Sequence, residues 1–92
     1  MDESEQMART YRNLMQIDDF HASEEYRKLI ELTETGSSHA RKNAEIILDE
    51  IRLLDESVAF YTDKHMWDRC YEDSVRLIRV LNKHVSAEYK PL

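Results

Sequence analysis

The sequence predicts an all-α fold: a small antiparallel helical bundle in which two short N-terminal helices precede a long helical hairpin. Three observations carry this. One Gly and one Pro in 92 residues supply few tight turns, whereas 35% charged residues suit helix faces. The β-branched and aromatic alternation that marks strands is scarce. Apolar residues recur at intervals of three and four through most of the chain. A chain of this length makes one domain, residues 1–92, with a single core that removes roughly 60–65% of the unfolded surface from water.

The first helical face is expected at Met7, Tyr11, Leu14 and Met15, on a helix from about Ser4 to Gln16 that Asp18 and Asp19 end. Phe20 is expected to anchor the loop that follows. A second face comprises Tyr26, Leu29, Ile30 and Thr33. Ser23 is placed as its N-cap, Glu24 and Glu25 suit the positive first turn, and Gly36 ends it as the C′ residue. Ser37 or Ser38 can cap the third helix. There Ala40, Ala44, Ile47, Ile51, Leu54, Val58 and Tyr61 form the longest regular seam in the chain. Continuing that register would place His65, Asp68 and Glu72 on the seam, so a break is expected near Thr62 to Lys64, with Thr62 or Asp63 as the next N-cap; as no Gly or Pro marks the turn, a bent continuous helix is the alternative. The fourth face is Trp67, Cys70, Ser74, Leu77, Ile78, Leu81 and Val85, and Pro91 lies beyond it.

Charge narrows the partners. The net charge of −6 disfavours nucleic acid and anionic membranes, which are bound by neutralising phosphate with Lys and Arg. Residues 1–36 carry nine acids and four bases (−5), and residues 37–92 carry ten acids and nine bases (−1). A single Cys excludes an internal disulfide, and no apolar run approaches a signal or membrane-spanning length, so the expected location is cytoplasmic or nuclear.

The stretch NAEIILDEIRLLDESVAFY, residues 43–61, is apolar on more than one side. At 100° per residue, Ile46, Leu53 and Phe60 form a second stripe, spaced by seven and roughly 100–140° from the main seam. Either the neighbouring helices cover it within a compact bundle, or it is a surface for a partner or a second copy. On the last helix Arg76, Arg79 and Lys83 form a basic ridge at spacings of three and four. The ridge is too small for a nucleic-acid site in an acidic protein; it reads as a solvated face that pairs with the acidic N-terminal half, or else as a contact for an acidic partner segment.

Candidates for chemistry are few. Asp63, His65, Asp68 and Cys70 gather ligand-type side chains in TDKHMWDRCYED, but without zinc-like spacing, and Cys70 belongs with Trp67 on the apolar face. No metal or other cofactor is expected. His21 and His84 fall in no pattern. His39 and Lys42 in SSHARKNA resemble the His-x-x-Lys of histidine-phosphotransfer domains, which implies an imidazole that accepts phosphoryl beside a steadying cation. Asn43 stands where that family has Gly, and His39 sits at a helix start rather than mid-helix. RTYRNLM, with Tyr11, Arg12 and Leu14, resembles the Leu-Tyr-Arg signature of small helical accessory proteins of mitochondrial assembly. Thr10 stands where that family has Leu, and that family is typically basic.

The residues therefore point to a noncatalytic interaction module or accessory subunit, an acidic adaptor that binds another protein or a second copy of itself as a homodimer. Its candidate contacts are Ile46, Leu53, Phe60, Arg76, Arg79 and Lys83. Phosphotransfer at His39 is the alternative.

Overall fold

The computed structural model describes residues 2–84, and in them the chain forms α1 (Glu3–His21), α2 (Glu24–Thr35), α3 (Ser38–Asp63) and α4 (Trp67–His84), with no strand. This is the expected helical bundle. Val85 and Pro91, assigned to the end of the last face, lie outside the described residues.

The helix starts are fixed by side-chain caps. Asp2 accepts a hydrogen bond from the Glu5 amide at 2.8 Å, Ser23 from the Tyr26 amide at 3.2 Å, and Ser37 from the Ala40 amide at 3.3 Å. Each satisfies a donor that the first turn leaves without a helical partner. Gly36 ends α2 as expected, but in extended backbone (φ −72°) rather than in the left-handed region. Its need is clearance: a Cβ there would lie 2.6 Å from the Leu32 carbonyl oxygen.

α1 departs from the expectation in length and in face. It continues through Asp18 and Asp19 to His21, and Phe20 is a fully buried helical residue rather than a loop anchor. The buried face is Thr10, Asn13, Ile17 and Phe20, while Met7, Tyr11 and Met15 are exposed and Leu14 half-buried. Two exposed aspartates near a helix end cost only tenths of a kcal/mol each. Burying Ile17 and Phe20 returns about 1.5–3 kcal/mol apiece. Thr10 and Asn13 are polar residues at core positions, which is why the true period is hidden. Their polar atoms are satisfied: Thr10 Oγ1 donates to the Gln6 carbonyl at 2.6 Å, and Asn13 Nδ2 donates to Ser74 Oγ on α4 at 3.0 Å.

The α3–α4 turn also differs in detail. Thr62 and Asp63, the expected caps of α4, are the last residues of α3. The break falls at Lys64, His65 and Met66. His65 has φ 55°, its amide donates to Thr62 O at 3.1 Å, and the Met66 amide donates to Tyr61 O at 3.0 Å. That pair of bonds is the Schellman ending, with a histidine in the left-handed place that glycine normally fills.

α4 packs against both α1 and α3, and α2 packs on α3 beyond the end of α1. Ile17, Phe20, Ile51, Leu77, Ile78 and Leu81 form the main core. Val58, Trp67 and Cys70 form a second cluster near the hairpin turn. No Cα of α1 comes within 8 Å of a Cα of α3, so those helices meet only through side chains. No described helix is long and apolar enough to cross a membrane.

Candidate functional site

The seam of α3 turns inward as its spacing predicts, with Ala44, Ile51 and Val58 buried and Ile47, Leu54 and Tyr61 half-buried. The second stripe does not. Ile46, Leu53 and Phe60 are 64%, 58% and 56% exposed. α4 and α2 pack on α3, and the stripe is left on the outside. Arg52 runs beside it, 3.0 Å from Glu56 and 3.8 Å from Asp49. The ammonium of Lys64 sits 5.8 Å from the centre of the Phe60 ring.

The basic ridge is on the solvent side of α4, with Arg76, Arg79 and Lys83 all exposed. Arg76 is partly committed within the fold, its guanidinium 3.3 Å from Asp73 Oδ1. Asp73 is 8% exposed and also accepts a hydrogen bond from Ser57 of α3. The ridge and the stripe therefore lie on different helices.

His39 and Lys42 are exposed in the first turns of α3, and the side-chain Nδ2 of Asn43 is 3.3 Å from His39 Nε2. The residue that replaces glycine in the phosphotransfer pattern thus lies against the ring. Among the described residues no group of three or more His, Cys, Asp or Glu could hold a metal ion. His65 packs edge-on to Trp67 at 5.6 Å, whereas Cys70 is fully buried. Burial pushes the Cys70 thiol up, against the effect of Thr62, whose Oγ1 is 3.0 Å from Sγ; nearby Asp73 raises it further. In the RTYRNLM segment, Tyr11 lies against the Trp67 ring at 5.4 Å, Arg12 is exposed and Leu14 touches both core clusters.

One site has no counterpart in the sequence pattern. Between α1 and α3 runs an open groove of about 510 Å³ with Leu14, Ile17, Val58 and Ala59 among its walls and Asp18, Asp55 and Asp63 among its acids. His21 closes one part of it, with Nε2 2.9 Å from Asp55 Oδ2. Burial raises the Asp55 carboxyl above its ordinary value and outweighs the opposing pull of His21, with Asp18 adding to the rise. Tyr26 stacks edge-on to His21 at 4.8 Å, and its hydroxyl is also pushed up, by burial and then by Asp55. His21 and Asp55 are 34 residues apart and belong to no shared period, so no local signal connects them. Comparison with family models, with curated proteins and with solved structures returned no match for the chain.

Proposed function

We propose that this protein is a noncatalytic interaction module that holds another protein through the outer face of α3. The observation that carries the reading is the exposure of Ile46, Leu53 and Phe60, three large apolar side chains at seven-residue spacing on one helix. Single exposed apolar residues are ordinary, but a row of them on a helix otherwise rich in acids costs solubility and is typical of a face that a partner covers. Helix faces of this kind are read by a partner helix through anchors one or two turns apart. The basic ridge of Arg76, Arg79 and Lys83 offers a second contact, for acidic residues of a partner. The reading involves no cofactor, nucleic acid or membrane, and it is compatible with a cytoplasmic or nuclear adaptor.

The test is a pair of substitutions, Leu53→Asp and Phe60→Asp, followed by thermal unfolding, sedimentation and recovery of proteins retained by the wild-type chain. Unchanged melting with loss of a retained protein supports the module. Loss of a dimer with nothing else retained makes the partner a second copy. Unchanged association in both variants removes the stripe from the interface. Phosphotransfer remains the alternative, and acid-labile phosphate on the wild type that is absent from His39→Gln would favour it.

A further inference from the structure

We infer that the groove between α1 and α3 is a second docking site, and that it takes a basic amphipathic helix from another protein. The groove combines apolar walls with an acidic border. Leu14 and Ile17 on α1 face Val58 and Ala59 on α3; Ile17 and Val58 are buried at the floor, and Leu14 and Ala59 are the accessible apolar contacts for an anchor, one on each side. Asp18 and Asp63 stand on opposite walls, and neither is paired with a cation of the described chain. Asp55 has only His21. Carboxylates at the border of an apolar slot favour a segment that carries Lys or Arg on either side of its apolar row.

Exposed apolar side chains that continue along α1 favour a helix over a small molecule. α1 and α3 both flank α4 with their backbones apart, as two helices of a four-helix bundle do across its diagonal, and meet only through side chains. Met7 and Tyr11 extend the apolar surface along α1: at 100° per residue they lie within about 20° of Asp18, and Met7 to Asp18 spans about 16 Å of helix. Both are exposed. Thioether side chains adapt to varied partners, which fits a surface that grips a helix along its length.

Charge argues against a second copy as the occupant. The chain carries −6, and the groove adds three carboxylates to any self-contact. The basic ridge of α4 has no apolar row of its own: Val75 and Val80 are half-buried against the fold. The inference does not use Ile46, Leu53 or Phe60, so it can fail while the α3 stripe stands, and the reverse.

The experiment uses the full chain and a fluorescent 18-residue model helix of Leu and Lys at helical spacing, with a Leu and Glu helix of the same pattern as control. Saturable binding of the Leu/Lys helix is expected, weakened by added salt, with no binding of the control. Ala59→Phe, which fills the groove from an exposed position, should weaken binding about tenfold or more. Asp18→Asn with Asp63→Asn, both at exposed positions, should do the same without touching the apolar walls. Leu53→Asp should leave binding unchanged. No binding, equal binding of the two helices, indifference to both groove variants, or loss in Leu53→Asp alone would each overturn the inference. So would a dimer of the wild type, seen by sedimentation without peptide, that Ala59→Phe dissociates.

Discussion

His21 Nε2 lies 2.9 Å from Asp55 Oδ2, joining the end of α1 to the middle of α3, two helices whose backbones stay apart. Yet the Asp55 carboxyl is raised above its ordinary value, because burial costs its charged form more than the imidazole returns. A raised acid is protonated more readily in the folded state than in the unfolded chain. Its charge therefore weighs on stability increasingly as pH climbs from the ordinary carboxylate range through the folded value, and fully above it. Asp55→Asn should gain stability relative to wild type between about pH 3 and about pH 7. Thermal melts of both proteins across that range measure it; a difference that stays constant would show that the ion pair and burial cancel, and one that runs the other way that the ion pair outweighs burial.

His65 holds a left-handed conformation that L-residues with a Cβ adopt at a cost. His65→Gly should stabilise the protein by about 0.5–1 kcal/mol, the relief at the helix end exceeding the lost edge contact with Trp67 and the added freedom of the unfolded chain. Chemical denaturation with an unchanged m-value would verify it.

Gly36 gives the opposite expectation, since an added methyl meets backbone and not a flexible side chain. Gly36→Ala should destabilise by about 1–2 kcal/mol through a shifted α2–α3 junction. A neutral result in the same denaturation assay would mean that the junction yields without cost.

Leu77 and Leu53 offer a contrast within one assay. Leu77 is fully buried in the main core, and Leu77→Ala should cost about 2–5 kcal/mol. Leu53→Ala, at an exposed site, should stay within about 0.5 kcal/mol of wild type.

The Cys70 thiol is enclosed by Val58, Thr62 and Trp67, and its tendency to ionise is suppressed by burial. It should react with an aromatic disulfide reagent only as fast as the domain opens, and immediately in denaturant. Fast labelling of the folded protein would place the thiol at the surface.

The seam of α3 and the face of α4 were legible because both are nearly unbroken rows of apolar residues at helical spacing. α1 was misplaced because Thr10 and Asn13 occupy its core positions, so the visible apolar row of Met7, Tyr11 and Met15 is the outer one. A periodicity argument weighs side chains by polarity, and it cannot see that Asn13 is satisfied by Ser74, 61 residues away. The stripe on α3 was visible as a stripe, but its exposure depends on where α1 and α2 lie. The groove is hidden for the same reason. It is a property of the separation between two helices, and Leu14, Asp18 and Ala59 have no common pattern along the chain.

That link between Asn13 and Ser74 also dictates an order of assembly. At about 5–20 residues per second, the 61 residues between them take about 3–12 s to synthesise. Through that interval the helix that receives Asn13, Ile17 and Phe20 does not yet exist. Ile17 and Phe20 lack the side chains that bury them until Leu77, Ile78 and Leu81 have been made. The last helix made is the one that anchors the earliest of the four.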